Sequence, residues 1–141
     1  MRLLVDTNIF LDVILERKGL MRESAAVLDA IEDGLAEGWV SSHALTTIHY
    51  VVAKANGRAA AATAIADVLD LCEVVAVNEA DFHRALALGL KDFEDAVQVA
   101  AALHVGADYL VSRNEKDFKD SPVDVRSPTT IAILLSVPGT P

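Results

Sequence analysis

Three short stretches of this 141-residue chain place carboxylates or amides where the backbone turns between apolar runs. In "LLVDTNIFLD", residues 3–12, Asp6 separates the strand-like Leu3, Leu4 and Val5 from the helical pattern of Ile9, Phe10 and Leu11. In "LKDFEDAVQVAAALHVGADYLVSRN", Asp92 and Asp95 are three apart and so share one helical face, and Glu94 is expected to point elsewhere. In "SRNEKDF", 112–118, Asn114 and Asp117 follow a strand end as Asp6 does. A buried charge without a partner costs several kcal/mol or more, so Asp6 is expected to face a polar cleft, not the core. Like charges that share a cleft need a compensating cation. Hard oxygen donors favour Mg2+ or Mn2+ over zinc in that role. Taken singly, Asp95 also reads as a helix N-terminal acid favoured by the macrodipole, and 114–117 as a polar turn. Taken together, the three stretches are harder to dismiss.

Other chemistries find less support. His43, His49, His83 and His104 lack the spacing of a zinc pair, and no HExxH is present. The single cysteine, Cys72, excludes an internal disulfide framework and shows no sign of activation. Ser112 lies in no nucleophile elbow, and no glycine-rich loop follows a strand to cradle a nucleotide phosphate. The net charge of −9 argues against a surface that is basic throughout. It suits a protein that gathers carboxylates around cations, or a plain acidic surface. No apolar run approaches the roughly 18 residues of a membrane span, and Met1 to Val5 is too short for a signal-peptide core. The expectation is a cytoplasmic globular protein with no membrane contact.

The elements that must hold these residues alternate. Strands are expected at 2–5, 39–41, 73–77, 109–112 and 123–126. Helices are expected from Thr7 or Asn8 to about Glu16, and over 24–36, 43–55, 58–71, 79–88 and 92–105. A last helix starts at Ser127-Pro128, with proline in the first helical position. Strands separated by helices imply a mostly parallel sheet covered on both faces, with ligands beyond the carboxyl ends of the strands. Nothing divides residues 1–137, which read as one domain, and 138–141 read as a frayed tail.

These motifs resemble a known family. "LLVDTNIFLD", "DFEDAVQVAAAL" and "YLVSRNEKDF" look like the first, third and fourth motifs of PIN-domain proteins, which include the ribonuclease toxins of toxin–antitoxin pairs. The resemblance spans nearly the whole chain. It implies a three-layer α/β/α fold around a five-stranded parallel sheet, and RNA cleavage with Mg2+ or Mn2+ held by acidic residues. Asp6 and Asp95 would be the principal metal ligands, with Asp117 and Asn114 positioning waters or a second ion. Arg113, Lys116 and Lys119 would meet substrate phosphates, and Asn8 and Thr47 complete the candidate substrate contacts. A small antitoxin protein and a second copy of the chain are the expected partners. Two positions depart from the pattern: the second motif has Thr47 where the family usually carries Glu, and the fourth has Asn114 where Asp is common. Both departures remove negative charge and predict weaker metal binding. A catalytically weak or inactive module that binds RNA or protein is therefore the alternative. An aspartyl-phosphate mechanism fits less well, because Asn8 stands where a second Asp would be needed.

Overall fold

The computed structural model describes residues 1–136, so the last residue of the expected domain and the tail expected over 138–141 lie outside the described residues. Five strands form one sheet: β1 (Arg2–Val5), β2 (Glu37–Ser41), β3 (Glu73–Val75), β4 (Tyr109–Val111) and β5 (Val125–Arg126). Their spatial order is β3-β2-β1-β4-β5, and every pairing is parallel. The first strand to be made is thus the middle of the sheet.

Strand sequence explains why both faces are covered. Leu3 and Val5 join one apolar cluster and Leu4 the other; Val40 and Val111 lie with the first, Trp39 and Leu110 with the second. That is the period-two alternation of a pleated strand, apolar on both sides. One face carries α1 (Thr7–Ile14), α2 (Met21–Glu32), α3 (Ser42–Asn56), α4 (Arg58–Leu71) and α7 (Pro128–Ser136). The other carries α5 (Glu79–Leu88) and α6 (Phe93–His104). The expected three-layer α/β/α arrangement with a five-stranded parallel sheet is what the chain forms.

Several boundaries differ from expectation for local reasons. α1 stops at Ile14, not Glu16, because Glu16 adopts a left-handed φ of 50°. The N–H of Glu16 then reaches the Val13 carbonyl at 3.2 Å and that of Arg17 the Asp12 carbonyl at 2.9 Å. This closes the helix as a Schellman turn without glycine. α2 runs from Met21 to Glu32, not 24–36, since Gly34 at φ 78° turns the chain into β2. β3 and β5 are shorter than expected; each lies at a sheet edge with one neighbour. Gly38 in β2 is required by close approach: a Cβ there would stand 2.9 Å from Ile31 and 3.0 Å from Cys72 Sγ.

Candidate active site

Adjacent strands of a parallel sheet end together, and here three of them deliver polar residues to one edge: Ser41 after Val40, Asp6 after Val5, and Ser112 after Val111. The Asp6 N–H still pairs with the Val111 carbonyl at 3.0 Å, which fixes its backbone to the sheet. Its carboxylate is nearly buried, 6% exposed, yet every hydrogen bond it makes is accounted for. Oδ1 accepts from the Thr7 N–H at 2.9 Å, capping α1, and from Gln98 Nε2 at 3.1 Å; Oδ2 accepts from Ser112 Oγ at 3.0 Å. Gln98 also accepts from Ser41 Oγ at 3.0 Å, so one α6 amide ties the ends of β1 and β2 together. Burial pushes the Asp6 carboxyl above its usual range, and the three donors and nearby Glu94 respectively oppose and add to that push.

α6 begins at the same edge. Asp92 is its N-cap and accepts the Asp95 N–H at 3.0 Å, so Asp92 acts as a cap outside the helix. Glu94 does not point elsewhere as expected: around the first turn of a helix aimed at the cleft, Asp92, Glu94 and Asp95 all line it. Burial is the main reason that the half-buried Asp95 carboxyl is pushed up to about 7, with the charges of Asp92, Asp6, Asp117 and Glu94 adding to it. The five acids thus lie at one cleft, close enough for four of them to act on Asp95.

The cleft encloses about 350 Å3 and is lined by Asp6, Asn8, Thr47, Asp95, Asn114 and Asp117 among others. The structure thus brings together every acid and amide singled out in the three motifs. Thr47 reaches the cleft from α3. Lys116 sits with Lys91 and Lys119 around an adjoining hollow of about 570 Å3 that shares Asp92, Asp95 and Asp117 with the cleft. Arg113 turns instead to Asp12, with Nε 2.9 Å from Oδ2. Asp117 does not close in on Asp6 and Asp95 as a ready-made set of three. Among the described residues no three His, Cys, Asp or Glu side chains stand close enough to hold an ion together. Mutual repulsion and the exposed 3-10 turn at Glu115–Phe118 that carries Asp117 account for the spread.

Several residues were not anticipated. Gln98 and Ser112 orient Asp6; their signal was a lone amide in the apolar run "AVQVAAAL" and a hydroxyl at a strand end. His43, near enough for the Asp6 charge to act on it, has no hydrogen-bond partner on either ring nitrogen. Burial lowers its pKa, which Asp6 opposes, and no sequence signal marked it.

A divalent cation fits this donor set. All candidate donors are oxygens, Asp6 Oδ2 accepts a single hydrogen bond and retains a free lone pair, and the acids repel one another. Asp6, Asp95, Asp117, Asn114 and Thr47 line the space that such an ion would take.

Comparison with known proteins agrees with this geometry. The PIN-domain family model matches residues 2–116. Ribonuclease VapC1 of Aquifex aeolicus (strain VF5) is 26% identical over 129 residues, covering 88% of both chains. Among solved structures, VapBC2 from Rickettsia felis, bound to a DNA fragment from its promoter, superposes with a TM-score of 0.70 at 18% identity, covering 90% of this chain and 98% of that one. A toxin–antitoxin complex from Klebsiella pneumoniae gives a TM-score of 0.67 at 24% identity, covering 89% and 96%. With the family model spanning most of its length and the acids of three motifs meeting at one sheet edge, the chain belongs to the PIN-domain family.

Proposed function

We propose that this protein is a divalent-metal-dependent endoribonuclease, acting as the toxin of a toxin–antitoxin pair. The observation that carries the reading is geometric: Asp6, Asp92, Glu94, Asp95 and Asp117, drawn from all three motifs, line one cleft, where burial and the neighbouring charges push the Asp95 carboxyl up. Such repulsion is retained where a cation is to be bound. A bound Mg2+ or Mn2+ would supply Lewis-acid polarisation of a phosphoryl oxygen and a more acidic attacking water.

The chain's own residues do the rest. Gln98, Ser112 and the Thr7 N–H hold Asp6 in one orientation on the rigid end of β1. Burial and the surrounding carboxylates favour the protonated form of Asp95, and on binding a cation Asp95 gives that proton up. Asn114, Asp117 and Thr47 orient water in the cleft. Lys91, Lys116 and Lys119 offer the ribose-phosphate backbone a cationic approach to an otherwise acidic edge. In the reaction a water oxygen bonds to phosphorus, one bridging P–O bond breaks, and the departing oxygen takes up a proton. The relative named a ribonuclease supports RNA as substrate, and the toxin–antitoxin complex of the same fold supports a small antitoxin partner. A second copy of the chain belongs to the same reading.

Two observations favour the alternative of a weakly active RNA- or protein-binding module: Thr47 lines the cleft without a charge, and among the described residues no three acids stand close enough to share one ion. Cleavage of single-stranded RNA under Mn2+ decides between them. We expect divalent-dependent cutting that EDTA stops and that Asp6→Ala reduces by about 100-fold or more. Absence of any cutting under Mn2+ would leave the binding module, and cutting that survives both EDTA and Asp6→Ala would belong to a contaminant.

A further inference from the structure

Asp12, the last residue of the first motif, is fully buried and does not line the cleft. It lies on α1, six residues after Asp6, and both its oxygens are taken. Oδ2 accepts from Arg113 Nε at 2.9 Å and Ser24 Oγ at 3.0 Å, and Oδ1 from Arg17 Nη1 at 3.3 Å. The same Nη1 reaches Asn8 Oδ1 at 3.1 Å. Asp12 is therefore no metal ligand. A buried carboxylate needs one cation, and this one has two. Two guanidiniums against one carboxylate leave a surplus of one positive charge, in a protein whose net charge is −9.

That surplus is placed at the cleft. Arg17 lines it beside Asn8, Thr47 and Asp95, delivered there by the left-handed Glu16 and the backbone bond from Arg17 to Asp12. Arg113 does not itself line the cleft but adjoins it in the chain, between Ser112, which donates to Asp6, and Asn114, which lines the cleft. Among the described residues, both Nη groups of Arg113, and Nε and Nη2 of Arg17, are left without a partner. Held guanidiniums with free N–H groups present the geometry that phosphate oxygens accept.

We propose that Asp12 is a positioning residue that holds Arg17 in the cleft and Arg113 beside it, on the α1 side, as a pair that receives an RNA backbone phosphate. The proposal rests on the ribonuclease reading. It makes the cleft two-sided, with arginines toward α1 and lysines in the adjoining hollow.

The test turns on a sign. If charge alone mattered, Asp12→Asn would remove a negative group and tighten RNA binding. If Asp12 acts by holding the arginines, the same change weakens it. Binding of a fluorescein-labelled single-stranded RNA is measured by anisotropy in EDTA, in an Asp95→Asn background, with folding followed by thermal melting. We expect Asp12→Asn to weaken binding about tenfold, and Arg113→Gln and Arg17→Gln each to do so while lowering the salt slope by about one. Arg113→Lys and Arg17→Lys keep the charge but lose the planar donors, and are expected to weaken binding as well. They carry the test if Asp12→Asn fails to fold. A folded Asp12→Asn protein that binds RNA as tightly or more tightly overturns the proposal, as do lysine variants with unaltered affinity. A background protein that binds no RNA removes the proposal together with the ribonuclease reading, whereas RNA binding indifferent to these changes removes the proposal alone.

Discussion

Thr47, an uncharged residue of α3, lines the cleft that also contains Asp6 and Asp95. Partial exposure matters here, because an added carboxylate would stay solvated and would not be forced into the apolar core. Thr47→Glu is therefore expected to tighten Mn2+ binding by about tenfold, since another hard anionic donor joins the site. Calorimetric titration of both proteins checks this, and unchanged or weaker affinity in a folded variant would remove Thr47 from the metal's surroundings. That Asp6, Asp95, Asn114 and Asp117 would share a cleft was legible in the sequence because each sits at an element end, where a polar residue interrupts an apolar pattern. Glu94 was misread because helical face arithmetic fails in the first turn, where successive side chains fan around the axis end. Asp12 escaped for a different reason. Inside an amphipathic helix an acid reads as solvent-facing, and only the tertiary approach of Arg113, 101 residues away, makes it a buried ion-pair centre.

At the scale of elements, α2 and α4 converge on β2 at Gly38, where side chains of Ile31 and Cys72 occupy the space a Cβ would take. Gly38→Ala is expected to destabilise the protein by about 1–3 kcal/mol through overpacking. Denaturant unfolding measures it, and a variant as stable as the parent would mean the two helices yield freely. Element type and order could be read from periodicity: α5 at 79–88 and α4 at 58–71 fall where the apolar spacing and the flanking Asn-Gly and Gly89 put them. Ends were less legible. Edge strands shorten because they lack a second partner, and α1 closes early on a non-glycine left-handed residue that no propensity favours.

For the whole molecule, gathered acids make stability depend on pH and metal together. Asp95 holds its proton to about 7 when folded, against 3.8 for an ordinary aspartate. Between those values the folded chain binds the extra proton, so this contribution is complete below about pH 4 and lost as pH rises toward 7. In EDTA the melting temperature is therefore expected to fall across that window, and Asp95→Asn to flatten the fall. Mn2+ competes with the proton, so its stabilisation grows over the same range. At about 100 times its Kd it would add about 2.7 kcal/mol, or on the order of 5–10 °C. Scanning calorimetry at several pH values tests both trends, and a melting point indifferent to Mn2+ at neutral pH would exclude the site. The placement of β1 has one more consequence, which concerns the order of synthesis. Because the first strand is the sheet's centre, it waits for β2 on one side and for β4, about a hundred residues later, on the other. Asp6 leaves the ribosome about a hundred residues before its Ser112 and Val111 partners. A nascent chain therefore carries its acids dispersed, and the cleft assembles only once Ser112, Asn114 and Asp117 have been made.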